Sequence, residues 1–177
     1  MPQTDWEAVE ELLRPHYNDP LDDWQSARRV ARTTRHLAQG LKPFNPDRAR
    51  LLALFYGLGE QSSHPNQRRK WARPLLNAGV TLEIQMWLWI SLQRYRTAPE
   101  TEEEYAVRDA WRMQNVGAVG IARVMLQAGR GGGTMGDALD VLRKELNDVS
   151  FLTPAGRRLG IRRIVVTRRF LKELEEE

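Results

Sequence analysis

The sequence contains no cysteine. That absence excludes disulfide bonds, thiol nucleophiles and cysteine-ligated zinc or iron–sulfur sites. Histidine is scarce as well, since only His16, His36 and His64 occur. They lie on three separate segments, with neither a pair four residues apart nor an HExxH motif, so their spacing predicts no metal site. Taken singly, each histidine is better explained as a surface or capping residue.

Long apolar runs are also missing. No stretch approaches the roughly 18 consecutive apolar residues of a membrane span. The first residues, MPQTDWEAVEELL, are acidic and amphipathic, unlike a signal or transit peptide. With 177 residues, of which 41% are hydrophobic and 28% charged, the composition is that of a globular protein with one core. We therefore expect a single domain over residues 1–177, a cytoplasmic location and no membrane partner.

Short catalytic motifs are absent too. The glycine-rich stretch GRGGGTMG does not end in the Gly-Lys-Ser/Thr of a P-loop, and it is interpreted as a flexible connection. No G-x-S-x-G nucleophile elbow occurs. Spacing and composition alone thus identify no catalytic site.

What the sequence does contain is helical periodicity along nearly its whole length. Apolar residues recur at spacings of three and four, and turn formers separate the segments. Asn45-Pro46 is typical of a helix start, and Thr4 with Glu7 predicts a capping box. Only RIVVT resembles a strand, and it is too short, with too many basic neighbours, to form one here. The predicted fold class is all-α, with helices starting near Trp6 and over residues 24–41, 48–57, 68–77, 81–94, 101–127, 137–147 and from 154 to the acidic tail.

The net charge of +4 is distributed unevenly. Acidic residues crowd both ends of the chain, while arginine occurs in pairs such as Arg28-Arg29 and Arg162-Arg163. Guanidinium groups bind phosphate through paired hydrogen bonds, so such surfaces suit a nucleotide or nucleic-acid phosphate. The alternative is a solvated helical surface with ion pairs.

The last helix combines basic and apolar residues. Arg158, Arg162 and Arg169 are spaced so that they share one face. These arginines either pair with acidic residues of the same chain or bind nucleic acid, and the low net charge favours pairing. The predicted apolar face consists of Ile161, Ile164, Val165 and Leu171.

One long stretch, PETEEEYAVRDAWRMQNVGAVGIAR at residues 99–123, points to a family. It resembles a motif of the HD superfamily of metal-dependent phosphohydrolases, in its bacterial, nucleotide-hydrolysing YedJ- and YpgQ-like branch. Three other stretches, DDWQSARRV, LLALFYGLGE and LTPAGRRLGIRRIVVTRRFLKELEEE, resemble further motifs of this family in the same order. The resemblance covers nearly the whole chain and implies a helical HD-like bundle.

The resemblance also implies a metal site whose ligands this sequence lacks. HD proteins bind a divalent cation through imidazole and carboxylate ligands from several helices, and the metal generates the attacking hydroxide. In this chain the ligand positions hold Ser26, Tyr56, Gly57 and Trp111. None of these side chains replaces a histidine or an aspartate as a ligand. The family thus implies a degenerate site with no metal, no cofactor and no catalytic residue.

Other residues of the former site remain. Arg29 and Arg112 fall on family arginines, His64 matches a further family histidine, and Asp109 lies two residues before the last ligand position. Tyr56 and Trp111 either fill the vacated cavity or stack on a base whose phosphate the arginines hold. The predicted binding residues are Ser26, Arg29, Tyr56, Gly57, His64, Trp111 and Arg112.

Three functions are compatible with these patterns. The first, which we favour, is a degenerate HD-domain protein that is not an enzyme and binds a nucleotide, a nucleic acid or a protein partner. The second is an active nucleotide phosphohydrolase with an unconventional site around His64 and Asp109. The third is a structural or homo-oligomer-forming protein whose arginines are merely solvated.

Overall fold

The computed structural model describes residues 3–19, 21, 23–59, 62 and 64–176, and within these ranges it contains helices, turns and loops but no β-strand. Of the loop predicted after the third helix, Glu60, Gln61 and Ser63 lie outside the described residues. None of the described helices is both long and apolar enough to cross a membrane. The α-helices are α1 (Trp6–Leu13), α2 (Trp24–Leu37), α3 (Pro46–Phe55), α4 (Pro65–Asn77), α5 (Leu82–Arg94), α6 (Glu102–Arg112), α7 (Gly117–Arg130), α8 (Met135–Asp148) and α9 (Pro154–Glu175).

The chain divides into two compact units, Met1–Arg108 and Asp109–Glu177, and the boundary between them falls within α6. The organisation as one domain over residues 1–177 stays a prediction of the sequence.

Side-chain caps set the helix starts in the first unit. The carboxylate of Asp5 accepts hydrogen bonds from the backbone N–H groups of Glu7 and Ala8, each at 3.1 Å. Asp5 is therefore the N-cap of α1, and the predicted Thr4–Glu7 capping box is wrong. An aspartate there also interacts favourably with the positive end of the helix dipole. Asn45 caps α3 as predicted, because its side-chain oxygen accepts hydrogen bonds from the backbone N–H groups of Asp47 and Arg48.

Helix α3 is the buried centre of the first unit. Every residue from Leu51 to Tyr56 is at most 1% exposed. A helix covered on all sides is apolar all round, which explains the uninterrupted run LLALFY. Helices α2 and α5 pack against it. The ring of Phe55 contacts Trp71 and Trp89 edge-on, with centroid distances of 5.5 and 5.7 Å.

The acidic run at the start of α6 belongs to the interior of the first unit. Glu104 is fully buried. Its carboxylate accepts from the Ser91 hydroxyl at 2.5 Å and from Nε of Arg94 at 2.9 Å. It also accepts from the backbone N–H groups of Glu100 and Thr101. A buried charge is tolerated here because its oxygens are paired with donors, one of them cationic.

In the second unit, α7, α8 and α9 pack around a small apolar core. Because each helix buries only one stripe, apolar residues recur there at helical spacing, as the sequence predicts. The buried residues of this core are Val124, Ala138, Leu142 and Leu171.

The helix predicted over residues 101–127 is in fact two helices. Helix α6 ends at Arg112 and α7 begins at Gly117, whose φ of +74° is a conformation that residues with a Cβ rarely adopt. The N–H of Gly117 donates to Oγ1 of Thr167 at 2.7 Å. A Cβ on Gly120 would lie 2.2 Å from the carbonyl carbon of Asn115, so the chain also needs a glycine there. Apolar spacing continues on both sides of this break, which is why periodicity misses it.

The predicted apolar face of the last helix is only partly correct. RIVVT is helical as expected and Leu171 is buried, but Ile161 and Val165 are 61% and 55% exposed. The buried stripe of α9 is made largely of small residues, and a Cβ on Gly160 would come within 2.0 Å of the Phe151 ring. Close packing rather than hydrophobicity therefore selects the buried face.

The arginines of α9 differ in their environments. Nε of Arg169 pairs with the Glu173 carboxylate at 2.8 Å, with both side chains largely exposed. Arg158 and Arg162 are exposed and form no ion pair with any described residue. The predicted internal pairing thus holds for Arg169 alone.

Candidate functional site

Ser26, which the resemblance aligns with the family's first ligand position, lies in the first turn of α2. The carboxylate of Asp23 caps this helix and accepts from the Ser26 N–H at 2.6 Å. Ser26 is 5% exposed, and its hydroxyl donates to the carbonyl oxygen of Leu21 at 3.5 Å. Arg29 follows on the same helix and is half-buried. The Ser26 hydroxyl thus bonds to the backbone that precedes α2.

Tyr56 and Gly57, which the resemblance aligns with the family's His-Asp pair, lie in a 3₁₀ turn, Tyr56–Leu58, that follows the end of α3. Tyr56 is 1% exposed. Its carbonyl oxygen accepts from Nη2 of Arg96 at 2.9 Å and from the Tyr95 hydroxyl at 3.4 Å. Helix α3 thus ends before Gly57, and the carbonyl oxygen of Tyr56 is held by residues of the turn that follows α5. At this position, which the resemblance aligns with a family histidine, the protein has a buried aromatic ring.

His64 is exposed and immediately precedes α4. Its carbonyl oxygen accepts from the backbone N–H groups of Gln67 and Arg68, both at 2.9 Å, while its side chain makes no capping bond. The backbone of His64 thus starts the helix, and its imidazole is available to solvent.

Trp111 and Arg112 lie at the end of α6, within the second unit, and both are half-buried. The Arg112 guanidinium lies 5.0 Å from the centroid of the Trp111 ring. Its Nη1 is 3.8 Å from Oε2 of Glu145, and the same oxygen accepts from Nδ2 of Asn115 at 3.1 Å. Sequence reasoning missed Glu145, because nothing local connects it to a residue so far away in the chain. Arg112 is therefore partly neutralised within its own unit.

Asp109 is fully buried, and both oxygens of its carboxylate accept hydrogen bonds from the surrounding backbone. Oδ1 accepts from the N–H of Leu152 at 2.9 Å. Oδ2 accepts from the N–H of Thr153 at 2.8 Å and from its hydroxyl at 2.7 Å. The Thr153 oxygen in turn accepts from the N–H of Gly156 at 2.9 Å. Asp109 thus fixes the start of α9 and has a structural role that the sequence did not reveal.

The predicted site residues are distributed over the two units. Ser26, Arg29, Tyr56, Gly57 and His64 belong to the first unit, and Trp111 and Arg112 belong to the second. Two of the first-unit residues, Ser26 and Tyr56, are buried, whereas His64 is on the surface.

The same regions offer few metal ligands. Across residues 3–19, 21, 23–59, 62 and 64–176, no three histidine, aspartate or glutamate side chains come together in a way that could hold a metal ion. The donor set at the former ligand positions is a hydroxyl, a phenol, a residue without a side chain and an indole, which does not fit a divalent cation.

Comparison with known proteins identifies the fold. No protein-family model and no curated protein sequence matches the chain. Bacillus subtilis YpgQ superposes with a TM-score of 0.77 over 98% of this chain and 97% of that protein, at 20% identity. The fold is YpgQ-like.

Two further solved structures agree. YpgQ in complex with ADP superposes with a TM-score of 0.77 over 96% of both chains, at 19% identity. The Lin1889 protein of Listeria innocua has a TM-score of 0.76 over 98% of this chain and 96% of its own, at 17% identity. At such identities the likeness shows the fold alone. It confirms the all-α class.

Proposed function

We propose that this chain is a degenerate HD-fold protein that binds a nucleotide and does not hydrolyse it with a metal ion. The observation that carries the proposal is the replacement of every former ligand position, by Ser26, Tyr56, Gly57 and Trp111. Metal-dependent phosphohydrolysis needs a cation that generates hydroxide and polarises the phosphoryl oxygen, and these residues do not supply its ligands. The cytoplasm is the proposed location.

The burial of the replacements supports the same proposal. Tyr56 is 1% exposed and Ser26 5% exposed, so both side chains are part of the packed interior of the first unit. An aromatic ring fills volume that a solvated metal centre would leave open. Trp111 is half-buried, which leaves part of its ring accessible for stacking.

The environment of Asp109 argues against an unconventional hydrolytic site around His64 and Asp109. A general base or a metal ligand needs a free carboxylate oxygen. Both oxygens of Asp109 already accept hydrogen bonds from the segment that starts α9. Recruiting Asp109 for chemistry would leave those buried donors unpaired, at a cost of about 1–3 kcal/mol each.

The proposed ligand class is a nucleotide, because YpgQ, a protein of the same fold, was solved in complex with ADP. The arginine-rich composition of this chain suits phosphate groups, which guanidinium groups bind through paired hydrogen bonds. A nucleic-acid or protein partner is a second proposal, and comparison with oligonucleotides separates a nucleic-acid binder from a nucleotide binder.

The test combines binding and turnover. Nucleoside di- and triphosphates are titrated calorimetrically in EDTA, and phosphate release is then followed with Mg²⁺, Mn²⁺ or Ni²⁺. We expect binding that EDTA does not change, no phosphate release above the blank and no stoichiometric metal in the purified protein. A His64→Ala variant tests the alternative hydrolytic site, because the exposed imidazole is removed without disturbing the core.

Two results would contradict the proposal. Metal-dependent release of phosphate that His64→Ala abolishes would identify an active hydrolase. Binding of duplex or single-stranded oligonucleotides, tighter than that of any nucleotide and falling steeply with salt, would identify a nucleic-acid binder instead.

A further inference from the structure

The outward face of α2 carries a row of arginines. Arg28, Arg32 and Arg35 follow one another at spacings of four and three, which puts them on one side of the helix. Ser26 and Val30, which are buried, lie on the other side of this helix. The arginine row is therefore separate from the former ligand position on the same helix.

This row borders a cavity of about 440 Å³ within the first unit. The other walls come from α1, including Trp6, and from the segment that leads from Phe44 into α3. A cavity of this size is in the range of sites that hold small organic ligands. Four arginines and two carboxylates line it, so its formal charge is positive.

The arrangement around Glu10 shows how these guanidinium groups hold an oxyanion. Oε1 of Glu10 lies 2.9 Å from Nη2 of Arg50, and Oε2 lies 3.8 Å from Nε of Arg28. The Arg50 guanidinium also lies 4.3 Å from the centroid of the Trp6 ring. Arg50 is thus held in place by a carboxylate and an aromatic ring, as a preorganised anion-binding group would be.

Two of the arginines have no such partner. Arg32 and Arg35 are exposed, and neither forms an ion pair or a side-chain hydrogen bond with any described residue. Like charges three or four residues apart on a helix repel one another. Thr34, in the cavity wall, has a buried hydroxyl without a partner among the described residues. An anionic ligand would relieve the repulsion between these arginines.

We propose that this cavity binds a phosphorylated small molecule, with Arg32 and Arg35 holding its phosphate groups. Guanidinium groups favour phosphate because two N–H donors match two phosphate oxygens. Half-buried aromatic residues at Trp6 and Phe44 border the same space and provide apolar surface for the organic part. The proposal does not depend on Ser26, which lies on the other face of α2.

The experiment measures calorimetric binding of inorganic pyrophosphate, ADP and adenosine in EDTA. The test variant is Arg32→Ala/Arg35→Ala. The matched control is Arg69→Ala/Arg73→Ala on α4, which removes the same charge from two exposed arginines that also lack partners among the described residues. All four side chains are exposed, so circular dichroism is expected to show both variants folded.

We expect the chain to bind pyrophosphate and ADP but not adenosine. The Arg32/Arg35 variant should lose about tenfold or more in affinity, because charge-assisted hydrogen bonds to phosphate are lost. The Arg69/Arg73 variant should change by less than about twofold.

Three outcomes would overturn the assignment: no pyrophosphate binding by the unmodified chain, equal losses in both variants, or a loss caused by Arg29→Ala and not by the test variant. Loss with Arg29→Ala alone would place nucleotide binding near Arg29 and outside this cavity, and the proposed function would stand. Metal-dependent turnover would instead overturn the proposed function while leaving this cavity untouched.

Discussion

Oδ2 of Asp109 accepts two hydrogen bonds from Thr153, one from its backbone N–H at 2.8 Å and one from its hydroxyl at 2.7 Å. Thr153 is at the same time the N-cap of α9, since its oxygen accepts from the N–H of Gly156. The carboxylate therefore extends the cap of the helix, and its negative charge lies where the helix dipole favours it. This contact changes Asp109 from a candidate catalytic residue into a residue that positions α9.

The first prediction concerns that carboxylate. Asp109→Asn should destabilise the protein by about 1–3 kcal/mol, because the amide nitrogen would face a buried N–H donor. Urea unfolding, monitored by circular dichroism, measures the change in the free energy of unfolding. His64→Ala, at the exposed residue that precedes α4, is the comparison, and its free energy of unfolding should lie within about 0.5 kcal/mol of that of the original chain. Unchanged stability of Asp109→Asn would show that the contacts contribute little.

The second prediction concerns Gly156, which leaves room for the carboxylate. A Cβ at this position would lie 2.2 Å from Oδ2 of Asp109 and 2.7 Å from Oγ1 of Thr153. Gly156→Ala should therefore destabilise by about 1–3 kcal/mol despite the better helix propensity of alanine. The control is Gly129→Ala in α7, where a Cβ meets nothing within 4 Å. That substitution should stabilise by up to about 1 kcal/mol, and equal effects at both glycines would refute the steric argument.

A third prediction separates the two aromatic replacements. Tyr56 is 1% exposed, whereas Trp111 is half-buried. Tyr56→Ala should cost about 3–5 kcal/mol, as for other large buried rings, and Trp111→Ala should cost less. If nucleotide affinity falls in Trp111→Ala without a matching loss of stability, the indole stacks on the ligand. The reverse order of stabilities would contradict the packing role of Tyr56.

The fourth prediction is a pH dependence at the start of α8. The backbone N–H of Thr134 and then its hydroxyl donate to the Asp137 carboxylate, and these bonds lower the pKa of Asp137 from its ordinary value of 3.8. Because the pKa is lower in the folded state, the unfolded chain binds the proton more tightly. The stabilisation is therefore fully present above pH 3.8 and is lost as the pH falls through the depressed pKa.

Asp137→Asn isolates this contribution. The difference in unfolding midpoint between the original chain and this variant should be largest near neutral pH and should shrink in acid. A difference that stays constant with pH would mean that the charge of Asp137 is not involved.

The sequence by itself determined the helical class and most of the helices, because periodicity and caps act over a few residues. Asn45-Pro46 opens a helix for reasons that lie within one turn, and the run LLALFY indicates a buried helix from its composition alone. The replacement of the family's ligand positions is a prediction from the sequence resemblance, since the residue type decides which atoms can bind a metal.

Only the tertiary structure decided the features that depend on distant segments. Asp109 positions α9 because its carboxylate accepts hydrogen bonds from Leu152 and Thr153, which lie 43 and 44 positions further along the chain. The break before Gly117 depends on Thr167, 50 positions away. The arginine row of α2 borders a cavity only because α1 and α3 supply its other walls. Local periodicity indicates which side of a helix is apolar. Which other segment covers that side, or leaves a cavity beside it, is decided by contacts between segments far apart in the sequence.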